Sequence, residues 1–217
     1  GWKEHPDTLA IIQQYAQSDD NQYVRRTAVR ELAKGWKEHP DTLSIIQNAA
    51  QSDADEDVRI TAVAELAKGW KEHPDTFAII QQAAQSDDDN GVRVTAVRVL
   101  AQGWKEHPDT LGIIQNAAQS DDNYRVRSTA VEELAKSWKE HPGIFDSLFN
   151  CAKNDPFVSQ GEEWAIFETN PRQTALEEIV KYFPNHPQTK DLLIDRINND
   201  PDQQVKKFAQ QALNKLT

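Results

Sequence analysis

Histidine is the residue in this sequence that first suggests chemistry, because imidazole is the most frequent general base and metal ligand. The chain has six histidines, five of them in the recurring string Lys-Glu-His-Pro and the sixth, His186, in a diverged copy of that string. A catalytic histidine is needed once, whereas these recur every 34 residues. Copies on stacked helices would lie about 10 Å apart, too far to share a zinc ion whose ligand bonds are about 2 Å. The spacing predicts a structural role.

Arginine and aspartate recur with the same period. The arginines are Arg25, Arg59, Arg93 and Arg127, and the aspartates are Asp19, Asp53, Asp87 and Asp121. The pattern predicts a paired Arg–Asp ladder between neighbouring repeats. Phosphate binding is the less favoured alternative, because the acids are available to neutralise the arginines.

Other signatures of catalysis or metal binding are missing from the sequence. It has no Gly-x4-Gly-Lys-Ser/Thr, no Gly-x-Ser-x-Gly, no cysteine pair and no calcium-loop order of acids. Cys151 follows Leu148 and Phe149 in an apolar helix and is predicted to be buried and inert. The sequence therefore predicts a non-enzyme with no cofactor and no metal.

The tryptophans of the repeated string leave two questions open. Gly35 before Trp36 predicts either a helix C-cap or, because Ser137 replaces this glycine later, a helix that runs straight through. Packing between repeats is the favoured role of the tryptophans, and an aromatic edge for a partner is the alternative.

The repeat itself predicts the architecture. Gly1-Trp2-Lys3-Glu4-His5-Pro6-Asp7-Thr8 returns at Gly35, Gly69 and Gly103, and a variant begins at Ser137. The predicted repeats, within one domain over 1–217, are 1–34, 35–68, 69–102, 103–136, 137–181 with an insertion at about 156–170, and a C-terminal cap at 182–217.

Each repeat is predicted to form two helices. In the first repeat Leu9, Ile12 and Ala16 have helical spacing, and so do the apolar residues that begin with Val24 and Ala28. Both helices are apolar over too wide a face for a lone hairpin, and stacked neighbours would cover it. The fold class is therefore predicted to be all-α, a solenoid of about six stacked helical hairpins.

Composition limits the partners. The 217 residues carry a net charge of −11, which disfavours nucleic acid and anionic lipid. No apolar run is long enough to span a membrane. The single cysteine fits a reducing, cytoplasmic compartment. The sequence opens on Gly1 and lacks methionine, so we expect a fragment of a longer protein.

Differences between repeats cluster at a few positions on the second helix. Repeats one and four match at 27 of 34 positions. The variable positions are 22, 26 and 30 of the repeat, which have the spacing i, i+4 and i+8, and the adjacent position 23. Together they form one stripe along the helix. Apolar members such as Ile60 and Val94 favour a protein-binding groove over neutral drift, which would favour polar residues. The predicted contacts are Gln22, Tyr23, Arg26, Arg30, Glu56, Asp57, Ile60, Asn90, Val94, Arg98, Tyr124, Arg125, Ser128 and Glu132.

The fifth repeat is 11 residues longer than each of the first four. Its insertion contains the aromatic residues Phe157, Trp164 and Phe167. We expect this segment either to fold back over the groove or to contact a partner.

Two resemblances add to these predictions. The pattern Asp19-x4-Val24-Arg25-x2-Ala28-x3-Leu32, which recurs in four repeats, resembles the HEAT repeat in its short bacterial form. This resemblance implies second helices that line a concave surface. Together with the Gly-Trp-Lys-x-x-Pro-Asp-Thr runs and the stretch 170–176, it also resembles the C-terminal repeats of cyanobacterial NACHT-type NTPases of the STAND class.

The second resemblance implies a sensor that serves an upstream NTPase module, in a family related to innate immune receptors and antiphage defence. Only the sensor role applies, because the sequence lacks nucleotide-binding motifs. The alternatives are a general HEAT-type scaffold for protein partners and, more remotely, a protein like the phycobilin lyases, which also have HEAT-like repeats.

Overall fold

A computed structural model describes residue 5 and residues 7–159, 161 and 168–216 of the chain. These residues form α-helices and no strand. The helices are α1 (Thr8–Ser18), α2 (Gln22–Gly35), α3 (Pro40–Ser52), α4 (Glu56–Gly69), α5 (Pro74–Ser86), α6 (Asn90–Gly103), α7 (Thr110–Ser120), α8 (Tyr124–Trp138), α9 (Ile144–Asn154), α10 (Pro171–Tyr182), α11 (Thr189–Asn199) and α12 (Gln203–Leu216).

In two repeats the first helix begins at its proline, whereas α7 begins at Thr110, two residues after Pro108. Helices α3 and α5 start at Pro40 and Pro74, because proline has no N–H to leave unpaired and its fixed φ suits the first turn. The residue before each proline is the N-cap. His39 Nδ1 accepts a hydrogen bond from the Asp41 N–H at 3.3 Å, and His73 does the same one repeat later.

The second helix begins at Gln22 in the first repeat and at Glu56 in the second. Asn21 and Asp55 are the N-caps of α2 and α4, and each side chain accepts from the second backbone N–H of its helix. The aspartate two residues earlier, Asp19 or Asp53, instead ends the preceding helix and accepts from the N-cap's own N–H. Two carboxylates or amides thus fix each turn between helices.

Both predicted endings of the second helix occur. Helices α2, α4 and α6 end at a glycine, and a tryptophan such as Trp36 follows as C-cap. Helix α8, where Ser137 replaces the glycine, continues through to Trp138. Gly35 has no left-handed φ, so the glycine ends the helix through its low helix propensity rather than through a left-handed turn.

The helices fall into two compact units, 1–106 and 107–217. In the first, α1 to α6 make three hairpins, and each second helix also packs against the next second helix. Leu32, Ile46, Leu66 and Ile80 are completely buried between them. Each such side chain stabilises the stack by about 1.5–3 kcal/mol. Because each hairpin covers its neighbour, this unit has the stacked-hairpin architecture of an all-α solenoid, as predicted.

In the second unit, α7 to α12 also make three hairpins. Leu134, Leu148, Leu176 and Leu192 are at most 1% exposed and form its core. One domain over 1–217 with the repeat boundaries given above stays a prediction. None of the described helices is long and apolar enough to cross a lipid bilayer.

Candidate functional site

The arginines of the repeated pattern join consecutive repeats. Arg25 donates from Nε and Nη2 to the two carboxylate oxygens of Asp53, at 2.9 and 2.7 Å, and from Nη1 to the backbone oxygen of Asp19 at 2.8 Å. Arg59 makes the same three bonds to Asp87 and to Asp53 O. The predicted Arg–Asp ladder is confirmed, and its direction is from each repeat to the following one.

The second unit has the same clamp in a more buried form. Arg127 donates to both oxygens of Asp155 at 2.6 and 3.0 Å, and Arg172 bonds the Asp200 carboxylate. The side chains of Arg127 and Asp155 are 6% and 2% exposed, against 14% and 9% for Arg25 and Asp53. A bidentate pair with little exposure is a structural element rather than a binding site for an incoming phosphate.

The electrostatics of the ladder agree with this role. The hydrogen bond to Asp53 raises the pKa of Arg25 against the opposing effect of burial. Burial disfavours ionisation of Asp53, but the hydrogen bonds from Arg25 and the Asp55 N–H outweigh it, so the Asp53 pKa is lowered. An open cleft of about 260 Å³ between α3 and α5 is lined by Asp53, Arg59 and Asp87, whose charges are therefore already matched.

His39 and His73 are helix N-caps, and His5, His107 and His186 accept the same kind of bond from the N–H two residues later, which belongs to the N-cap of the following helix. Besides His39 and His73, His107 Nδ1 accepts from the Asp109 N–H at 3.3 Å. A nitrogen that accepts a backbone hydrogen bond is not free to bind a metal ion. No three His, Cys, Asp or Glu side chains among the described residues lie close enough together to hold one.

The tryptophans pack between repeats. The Lys37 ammonium lies 5.9 Å from the ring centroid of Trp70, one repeat later, and Phe77 meets Trp104 edge to face at 6.2 Å. Both contacts join consecutive repeats, which favours the packing role over an aromatic edge for a partner.

The predicted binding stripe lies on the second helices of four repeats. In the first unit its exposed members include Tyr23, with 64% of its surface exposed, and the arginines Arg30 and Arg98. Neither arginine has a carboxylate partner among the described residues. The other exposed or half-buried members in this unit are Gln22, Arg26, Glu56, Asp57, Ile60, Asn90 and Val94.

Two stripe positions contact the following repeat. Arg26 forms an ion pair with Asp57 at 3.0 Å. Ile60 occupies the matching position one repeat later and packs against Gly91, where a Cβ would lie 3.1 Å from Ile60 Cδ1. Ile60 and Val94, which the groove interpretation places at the surface, are both half-buried. Part of the sequence variation in the stripe therefore serves contacts between one repeat and the next.

The fourth repeat departs furthest from the predicted stripe. Ser128 is 2% exposed and donates to the backbone oxygen of Thr169, at the end of the insertion, so the expectation that it lies on an open surface is wrong. Tyr124 is half-buried because its ring meets Phe157 edge to face at 5.2 Å. The other stripe members on α8, Arg125 and Glu132, are exposed.

The insertion folds back at its described end. Phe157 is 7% exposed, its N–H donates to Asp155 Oδ1, and its backbone oxygen accepts from Arg172. The predicted site residues Trp164 and Phe167 lie outside the described residues. For Phe157, the structure favours the fold-back alternative over an open contact.

The stripe contains two lysines that the comparison of repeats missed. Lys34 and Lys68 follow one turn after the third stripe position, and both are exposed without an acidic partner among the described residues. They do not vary between these repeats, so a search for variable positions could not find them. Their exposure extends the basic part of the stripe beyond Arg30.

Comparisons with known proteins agree with this geometry. The family model of HEAT repeats matches residues 8–101 and 77–166. No curated protein sequence matches the chain. A solved structure from a study of tubulin recruitment and assembly by microtubule polymerases with tumor overexpressed gene (TOG) domain arrays is 15% identical over 95% of this chain, with a TM-score of 0.51.

This chain spans only 46% of that TOG-array protein, and the likeness concerns the fold alone. A de novo designed 16-helix transmembrane nanopore is also 15% identical over 97% of this chain and 59% of its own, but its TM-score of 0.17 carries no argument. The family match covers well over half of the sequence. Together with the stacked hairpins and the Arg–Asp ladder, it shows that this chain belongs to the HEAT-repeat family.

Proposed function

We propose that this chain is a non-catalytic protein-binding domain whose partner contacts the exposed members of the stripe. The observation that carries the proposal is the contrast between the buried residues and ladder, which the repeats share, and the stripe, which differs between them. The buried residues and ladder of the first three repeats are nearly the same, whereas the stripe changes: Tyr23 corresponds to Asp57 and Gly91, and Arg30 and Arg98 correspond to Ala64. Tyr23, Arg30 and Arg98 are all exposed. Exposed aromatic and arginine side chains are typical of protein interfaces.

The resemblance to NACHT-type NTPases supports a finer proposal. In it, the repeats are the C-terminal sensor of a cytoplasmic signalling NTPase, and a proteinaceous trigger binds in the groove that the second helices line. A general scaffold with constitutive protein partners is the alternative, and a protein like the phycobilin lyases is a remote one. A Gly-x4-Gly-Lys-Ser/Thr motif encoded upstream in the parent gene would support the sensor, and further repeats alone would support the scaffold.

Photo-crosslinking tests the binding stripe directly. A photoreactive residue is placed at position 23, 30 or 98, and matched control residues are placed at Ser44 and Ala78, which are exposed on the first helices α3 and α5. We expect crosslinks to one partner from the stripe and not from the controls. Equal crosslinking from both sets would contradict the proposal.

Charge reversal then measures the contribution of the arginines. Arg30→Glu and Arg98→Glu should weaken binding of the crosslinked partner by about tenfold or more, as loss of an interface arginine typically does. Arg26→Glu is less informative, because it also breaks the ion pair with Asp57. Unchanged affinity in the Arg30 and Arg98 variants would exclude this stripe.

A further inference from the structure

A basic row crosses the second helices of the first unit. It consists of Arg30 and Lys34 on α2, Lys68 on α4 and Arg98 on α6, so each helix contributes at least one cation. All four side chains are exposed, and none forms an ion pair with a described carboxylate. On a chain with a net charge of −11, this row attracts anions that the rest of the surface repels.

Helix stability accounts for the lysines of the row but not for its arginines. Lys34 and Lys68 lie in the last turns of α2 and α4, where a cation complements the helix dipole. Arg30 lies one turn earlier, four residues from both Arg26 and Lys34, and like charges at that spacing destabilise a helix. The adjacent acid, Glu31, is half-buried and forms no ion pair with Arg30. The fold therefore gives no reason for an arginine here.

The starts of α4 and α6 carry the opposite charge. Asp55 is the N-cap of α4, Glu56 and Asp57 follow in its first turn, and Asp89 is the N-cap of α6. These carboxylates repel an anionic ligand, whereas the basic row near the other ends of the helices attracts it. The ligand must therefore cross the three helices in their C-terminal halves instead of running along one of them.

The spacing of the helices selects the conformation of an anionic ligand. Helix α2 packs against α4, and α4 packs against α6, and packed helices lie about 8–10 Å apart. A polyproline II segment has three residues per turn and a rise of about 3.1 Å per residue, so every third side chain lies on one face at intervals of about 9 Å. A β-strand instead turns every third side chain to its opposite face. Only the first conformation brings one acid in three to each helix.

We propose that the basic row binds an acidic polyproline II segment of a partner protein, with a carboxylate at every third residue. This inference rests on the proposed function and names the chemistry of the partner. The first carboxylate pairs with Arg30 and Lys34, the second with Lys68 and the third with Arg98. Ala64, which corresponds to the two arginines on the middle helix, has too short a side chain to block the segment.

Two peptides of identical composition test the spacing. In the spaced peptide, Glu-Pro-Pro-Glu-Pro-Pro-Glu-Pro-Pro, the carboxylates share one face of a polyproline II helix. In the clustered peptide, Pro-Pro-Pro-Glu-Glu-Glu-Pro-Pro-Pro, they point in three directions. Each peptide is titrated into the full chain at low salt, and NMR follows the backbone amides. We expect the spaced peptide to bind about threefold more tightly or better, with shifts in the C-terminal halves of α2, α4 and α6.

Charge-neutralising variants identify the cations. Arg30→Gln and Arg98→Gln should each weaken binding of the spaced peptide by about two- to fivefold, as loss of one exposed ion pair allows. The matched control is Lys190→Gln, which removes the same charge from the exposed surface of α11 and should have little effect. Equal affinity for the two peptides, no saturable binding at millimolar peptide, or arginine variants that behave like Lys190→Gln would overturn the proposal.

Displacement experiments separate this inference from the proposed function. The spaced peptide should displace the partner that crosslinks from position 30 or 98. A crosslinked partner that the peptide does not displace would overturn the inference and leave the proposed function intact. Equal crosslinking from the stripe and from Ser44 and Ala78 would contradict the proposed function and with it this inference. Oligouridylate that binds the row more tightly than the spaced peptide would assign the row to nucleic acid and also overturn the inference.

Discussion

Removal of a buried ladder arginine should destabilise the second unit far more than removal of an exposed arginine destabilises the first. Arg127→Met keeps most of the apolar stem but deletes the guanidinium that donates to Asp155 at 2.6 and 3.0 Å and to Asp121 O at 2.8 Å. Asp155 is left as a carboxylate whose side chain is 2% exposed, and among the described residues only the Phe157 N–H still donates to it.

The magnitude follows from burial. Loss of one partner from a buried ion pair costs about 3–5 kcal/mol, because the remaining charge is uncompensated. The matched control is Arg30→Met, since Arg30 is exposed and no described residue forms an ion pair with it, and it should change stability by no more than about 0.5 kcal/mol. Asp155→Asn in the Arg127→Met background removes the buried charge and should recover part of the loss, as coupled residues do.

The assay must resolve separate parts of the chain, because repeat arrays need not unfold in one step. Hydrogen exchange of the α8 and α9 amides gives the free energy of opening at this site. A cost for Arg127→Met that equals the cost for Arg30→Met would refute the view that the ladder holds the repeats together. A cost that Asp155→Asn increases instead of reducing would refute the assignment of the loss to an uncompensated carboxylate.

Three further predictions use other contacts. Because the pKa of Asp53 is lowered, its ionised form stabilises the first unit at pH values above the ordinary aspartate pKa of about 4. This stability should be lost as the pH falls below that value, and Asp53→Asn should flatten the plot of unfolding free energy against pH. Burial, aided by the charge of Asp155, raises the pKa of Cys151 to about 11, so native alkylation near neutral pH should be slow, whereas fast alkylation without unfolding would contradict its burial. Gly91→Ala should cost at least about 0.5 kcal/mol more with Ile60 present than in an Ile60→Ala background, and additive effects in a double-mutant cycle would contradict their contact.

Much of the fold could be predicted because one period sets both helices and their contacts. The helical spacing of the apolar residues and the common period of arginine and aspartate predicted paired helices and an ion-pair ladder, and both are present. These features depend on residues that are close together in sequence or that lie in consecutive repeats. The direction of the ladder and the role of Asn21 as N-cap were not predictable, since several neighbouring carboxylates and amides could have served equally.

The surface residues were predicted less well than the helices and the ladder. Ser128 has the spacing of an exposed stripe residue, but the end of the insertion covers it, and no periodic pattern contains that segment. Ile60 is apolar for a local reason, since Gly91 in the next helix leaves room for its side chain. Sequence differences between repeats show which positions can vary. They do not show whether the residue at such a position contacts a neighbouring helix or a ligand.

The contacts divide the stripe into two kinds of variable position. At the second position of the stripe, Arg26 with Asp57 and Ile60 with Gly91 are matched in charge or in size to the following helix. At the third position, Arg30 and Arg98 face solvent without such a match. A change at the second position needs a compensating change one repeat later, whereas a change at the third does not. Selection for a new partner can therefore act on the third position without disturbing the stack, and for this reason the arginines there are the most informative sites for binding experiments.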